Sequence, residues 1–122
     1  MTPADQLRDA SAKLRTLTAA AEADVDTNPY WRSELSTRPD WYANGVRNGL
    51  GGEAGELAAA MHPGVGAALA GLLTAATRLA TAYPEMAHDH DRPACDDYTC
   101  DLMGAALAVA REILGQPDRN QT

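Results

Sequence analysis

The chain has 122 residues, of which 45% are hydrophobic and 22% charged, with a net charge of −7; this is enough for one helical core, too short for two domains and too apolar for wholesale disorder. A duplex- or phosphate-binding domain carries a basic stripe, and 17 acidic against 10 basic side chains provide none, so nucleic acid is not an expected partner. Alanine makes up about a fifth of the residues, Phe is absent and only 5% are aromatic, a composition that favours helices approaching closely across a core with few large side chains.

Thr2 and Pro3 read as an N-cap and a first-turn proline. Leu7, Ala10, Leu14, Leu17, Ala21 and Val25 follow at spacings of three and four, with charged residues between them, and Thr27-Asn28-Pro29 ends the helix. Residues 28–52 are less regular: they hold Tyr30, Trp31, Trp41 and Tyr42 and are interrupted by Pro39, Gly45, Gly49, Gly51 and Gly52. A short helix over 39–48 turns Trp41 and Val46 inward, and the aromatic rings read as plugs in a core of alanine and leucine ahead of ligand-stacking surfaces. Residues 53–61 form a further helix, ended by His62-Pro63 because a residue before proline avoids the α region. Pro63 starts a helix over 63–83 whose apolar stripe is Val65, Leu69, Leu72, Ala76, Leu79 and Tyr83. After Pro84 and a polar stretch over 85–97, a last helix begins near Asp96 or Asp97, runs through Leu102, Ala106, Val109 and Ile113, and stops at Gly115.

No strand-type alternation or internal repeat is present. The expectation is an all-α fold, a small bundle of three main amphipathic helices plus one or two short ones, as a single domain over 1–115 with a flexible polar tail over 116–122. The N-terminus has neither a basic nor an apolar leader region. The longest apolar stretch, 65–73, is interrupted by glycine and falls below a membrane span. A cytoplasmic chain without membrane contact is therefore expected, a setting in which two cysteines more often serve as thiols or metal ligands than as a disulfide.

The sharpest chemical candidate is His88, His90, Cys95 and Cys100, in the pattern H-x-H-x4-C-x4-C. Zinc favours four nitrogen and sulfur ligands in a tetrahedron, and two His with two Cys is a frequent structural set. Cys100 would lie in the first turn of the last helix, where the dipole favours a thiolate. A loop rich in Asp and Pro, without an apolar anchor of its own, also has reason to need a metal clip. With all four ligands used the site would be closed, hence structural. Two other readings stay open: a Cys95–Cys100 disulfide if Cys95 precedes the helix, or two small buried thiols beside solvated histidines.

The second candidate is Glu53 with Glu56, three apart in a Gly-rich segment and so on one helix face, where two carboxylates could hold magnesium over a triphosphate. This stretch of about ten residues resembles the first metal-binding motif, E-x-x-E, of the all-α nucleoside triphosphate pyrophosphohydrolases of the MazG type. The resemblance implies a catalytic role for the pair, but the second acidic motif that those enzymes carry on the next helix is missing: residues 63–83 contain no carboxylate. The alternative role for Glu53 and Glu56 is that of first-turn acids favourable to the helix dipole. His62, at a helix junction, reads as a satisfied junction residue ahead of a lone base.

Across most of the chain, the order of features resembles a loose group of small uncharacterised helical proteins from actinobacteria and their phages. The residues carrying it are Leu7-Arg8-Asp9-Ala10-Ser11-Ala12-Lys13-Leu14-Arg15, then Asn28-Pro29-Tyr30-Trp31, the segment from His62 to Leu73, and Ala106-Leu107-Ala108-Val109-Ala110-Arg111-Glu112-Ile113-Leu114-Gly115. Glycines from Gly64 to Gly66 depart from the alanine-rich helix start of that group. The resemblance implies a cytoplasmic, phage-type accessory protein and no particular reaction. The functional expectation is thus a non-enzymatic helical protein acting through a protein partner or as a homodimer, with the helix beginning at Pro63 as its contact surface and a zinc clip as its cofactor; the alternative is the metal-dependent hydrolase.

Overall fold

A computed structural model describes residues 1–87 and 98–116. The fold is all-α, and no strand occurs among the described residues. Three long helices, α1 (Pro3–Thr27), α4 (Pro63–Ala82) and α5 (Tyr98–Leu114), are accompanied by two shorter ones, α2 (Arg38–Leu50) and α3 (Gly52–Ala60), and by 3-10 turns at Pro29–Trp31 and Pro84–Ala87. The expected stop signals act where the sequence places them: Asn28-Pro29 ends α1, His62-Pro63 separates α3 from α4, and Gly115 ends α5.

The chain divides into two compact units. One comprises Met1–Leu14 and Leu69–Thr122, the other Arg15–Ala68. In the first unit, α1 begins with a reciprocal cap. The Asp5 N–H donates to the Thr2 hydroxyl and the Thr2 N–H to the Asp5 carboxylate, both at 3.1 Å, a capping box with Asp in the usual Glu position. The core holds Leu7, Ala10, Leu73, Ala80, Ala87, Met103, Ala106, Leu107 and Ala110. Among the described residues only Leu7, Leu73, Met103 and Leu107 are large side chains that are fully buried; the rest of this cluster is alanine. Ser11 is buried there as well. Its hydroxyl donates to the Ala70 carbonyl at 2.9 Å and lies 2.8 Å from the Thr74 hydroxyl, which itself donates to the Ala70 carbonyl, so a polar group at the seam is satisfied. At the far end, Gly115 takes φ 72° while the Gln116 and Gly115 N–H groups donate to the Arg111 and Glu112 carbonyls. This is the paired bonding of a Schellman cap. The Lys13 ammonium also donates to the Ile113 carbonyl at 2.7 Å, a cation placed at a helix C-terminus.

The buried faces keep Leu7, Ala10, Val25 and Ala106 of the expected stripes and depart from them elsewhere. Leu17, Leu72, Tyr83 and Leu102 are each about half exposed, whereas Ser11, Thr18, Ala70, Leu73, Ala80, Met103, Leu107 and Ala110 are buried. On α4 the buried stripe is displaced by one position, from Leu69, Leu72 and Leu79 to Ala70, Leu73 and Ala80. Small residues let backbones approach, so the line of closest approach follows Ala, Ser and Thr and leaves some large aliphatic side chains on the flanks.

In the second unit, a clip of aromatic residues follows α1. The Asn28 side chain accepts from the Tyr30 N–H, the Trp31 indole donates to Asp24 at 2.7 Å, and the Tyr30 hydroxyl donates to the Gly45 carbonyl at 2.8 Å. The Trp31 ring stacks on Tyr42 with centroids 5.5 Å apart. A Cβ on Gly45 would overlap the Trp31 ring, so the ring packs directly on the α2 backbone. Trp41 and Val46 are half-buried. The turn from α2 to α3 needs glycine, because Gly51 and Gly52 have φ of 66° and 63°. Near the start of α4, a Cβ on Gly66 would fall 2.5 Å from the Thr18 hydroxyl, another close backbone approach.

Candidate functional site

Of the proposed metal ligands, His88, His90 and Cys95 lie outside the described residues, as do the proposed capping acids Asp96 and Asp97 and most of the tail, 117–122. Cys100 is in the first turn of α5 and half-buried. There the N-terminal end of the helix dipole lowers the cost of a thiolate. Among the described residues no three His, Cys, Asp or Glu side chains converge in a group suited to a metal ion.

Glu53 and Glu56 both lie on α3 and both are exposed. Glu53 sits in the first turn, where its charge complements the helix N-terminus. Glu56 accepts from the Arg47 guanidinium at 3.2 Å and so ties α3 back to α2. Gly55, buried between them in sequence, faces the end of α2, and a Cβ there would make ordinary van der Waals contact with the Arg47 Cα at 3.6 Å. The arrangement accounts for both glutamates as parts of a helical hairpin. No carboxylate on α4 joins them.

His62 is the N-cap of α4. Its carbonyl accepts from the N–H groups of Val65 and Gly66, and its ring Nδ1 accepts from the Gly64 N–H at 3.1 Å. A nitrogen that accepts carries no proton, so the neutral ring holds its proton on Nε2. Gly64 packs against this ring, since a Cβ at this position would fall 2.8 Å from His62 Cε1.

The most distinctive surface belongs to α4. Its twenty residues contain one charged side chain, Arg78. Mean hydropathy reaches 1.4 over 18 residues, long and apolar enough by length and composition to cross a membrane, yet only 22% of that window is buried. Ala70, Leu73 and Ala80 face the core, whereas Gly71, Leu72 and Ala75 lie exposed on a common face together with Arg78. Sequence reading placed Leu72 inside; the signal that could have found this face is the near absence of charge from a helix whose leucines occupy more than one side. Comparison with protein-family models, with curated proteins and with solved structures finds no match.

Proposed function

We propose that the chain is a non-enzymatic helical protein that acts through protein–protein contacts, with the exposed face of α4 as the contact surface and a structural zinc clip at His88, His90, Cys95 and Cys100. The observation that carries this reading is the uncovered apolar helix. A core helix of this hydropathy is ordinarily enclosed, whereas α4 leaves Leu72 48% exposed beside Gly71 and Ala75. The low charge of this helix, with Arg78 its one charged side chain, is what favours a contact there. The small residues admit a second helix at short range. The phage-type accessory setting implied by the resemblance belongs to the same proposal, as does a cytoplasmic location.

Sedimentation over a hundredfold concentration range tests the contact surface. Reversible self-association that Ala75→Asp abolishes without lowering Tm supports a homodimer, and co-purification with a host protein that Ala75→Asp equally abolishes supports a heterologous partner. A concentration-independent monomer that retrieves no partner removes the reading. The zinc clip is tested separately by elemental mass spectrometry on untagged protein beside a Cys95→Ser, Cys100→Ser variant. One zinc per chain, lost in the variant, supports the clip, and loss of helicity in the apo-protein then shows that the metal holds the fold. No zinc in either sample removes it.

A further inference from the structure

Within the second unit, a cavity of about 130 Å³ opens among Glu22 and Val25 of α1, Arg38, Pro39 and Tyr42 of α2, and His62, Pro63 and Gly64 at the start of α4. Its size is close to that of a protein cavity known to take up a six-carbon ring, roughly 150 Å³. Its apolar wall is Val25, itself buried, with Pro39, Pro63 and the ring of Tyr42, one face of which is covered by Trp31.

The charges around the cavity are not balanced. The Arg38 guanidinium is bound to the Asp26 carboxylate, which neutralises it. Glu22 feels Arg38 only through space and makes no hydrogen bond among the described residues. Over Glu22, Arg38 and Asp26 one negative charge is therefore in excess, with Glu22 and Arg38 both on the cavity lining. A metal ion held by Glu22 and His62 would need a lone pair on His62 Nε2. The Gly64 N–H occupies Nδ1 and places the ring proton on Nε2, so the imidazole presents a donor instead.

The geometry points to a binding site for a small organic ammonium ion: its charged head on Glu22 and an apolar body of about six carbons against Val25, Pro39 and Pro63. The site is independent of the α4 contact face, and its test does not depend on any partner.

Three probes with one hydrocarbon body separate the contributions: cyclohexylammonium, cyclohexanol and cyclohexanecarboxylate, each titrated at pH 7 into the full ¹⁵N-labelled chain. Cyclohexylammonium should shift the Gly64 amide saturably with a dissociation constant of about a few millimolar, a magnitude suited to so small a ligand. The alcohol should bind about tenfold more weakly, and the carboxylate should give no saturable shift. Glu22→Gln, at an exposed helix position that leaves the fold intact, should weaken the ammonium about tenfold, whereas Glu112→Gln should leave it unchanged. Equal affinity for all three probes, an unaltered affinity in Glu22→Gln, or no saturation with cyclohexylammonium would each overturn the site. Stoichiometric zinc binding that shifts Gly64 would overturn it in favour of a metal.

Discussion

Gly45 joins the aromatic clip to α2. Because Trp31 rests on its backbone and the Tyr30 hydroxyl donates to its carbonyl, a methyl group at this position cannot be added without moving the indole. Moving it in turn breaks the 2.7 Å bond to Asp24 and the stack on Tyr42. Gly45→Ala gains helix propensity of about 1 kcal/mol, but overpacking costs about 1–3 kcal/mol and the lost hydrogen bond about 1 kcal/mol more. The expected result is net destabilisation of about 1–3 kcal/mol in urea unfolding, with quenching or a red shift of Trp fluorescence in the native baseline. A second residue-scale effect is electrostatic. The Arg38 guanidinium, by its hydrogen bond, holds the Asp26 carboxyl below its ordinary value, and the Thr2 backbone N–H does the same for Asp5, helped by the Thr2 hydroxyl and Arg8. A depressed folded-state value means that the stabilisation is fully present above the unfolded carboxylate range, about pH 4, and is lost as the pH falls through the lower folded value. The Tm difference between the native chain and Asp26→Asn should thus be constant above about pH 5 and close as the solution is acidified, which thermal melts from pH 6 to pH 2 would show.

At the scale of the elements, the punctuation of the chain was legible because it depends on local chemistry. Thr2-Pro3, Asn28-Pro29, His62-Pro63, Pro84 and Gly115 act through fixed φ, missing N–H groups or left-handed backbone, and each acts within a few residues of itself. The rotation of α4 was not legible, although Leu7, Ala10 and Val25 of α1 are buried as their spacing predicts. Leu72 and Leu73 are adjacent and chemically identical, so periodicity alone had to choose between them, and it favoured the larger repeat of aliphatic side chains. Closest approach follows the small residues instead. Ser11 against Ala70 and Thr74 in one unit, and Thr18 against Gly66 in the other, set the facing surfaces, and a hydroxyl at such a position looks from sequence like a solvent residue. For the candidate sites, Glu56 was legible as a helix-face carboxylate. Its partner Arg47 was not, because the pairing arises from the turn at Gly51 and Gly52 that folds α3 back on α2. The helix boundary at His62 was foreshadowed by the proline after it, while the close packing of Gly64 on the imidazole emerges only when the ring is placed.

For the molecule as a whole, the scarcity of large buried side chains sets how much a single core position matters. Among the described residues four large side chains are fully buried, while eleven large hydrophobic residues are exposed, so their apolar content is divided unevenly between core and surface. Leu73 has no exposed surface, whereas its neighbour Leu72 is 48% exposed. Leu73→Ala removes three buried carbons and leaves a void in a seam where alanine neighbours cannot expand to fill it. The expected loss is about 3–5 kcal/mol, a large share of the 5–15 kcal/mol typical of a domain. Leu72→Ala, on the exposed face, should change stability by no more than about 0.5 kcal/mol. If α4 also makes the contact proposed above, the order reverses in an association measurement: Leu72→Ala weakens complex formation at unchanged Tm, while Leu73→Ala lowers Tm and affects association only through the fraction folded. Urea unfolding and sedimentation on the two single variants, run side by side, separate the two faces of one helix. Equal destabilisation by both would mean that Leu72 is a core residue, and the contact surface would then have to lie elsewhere.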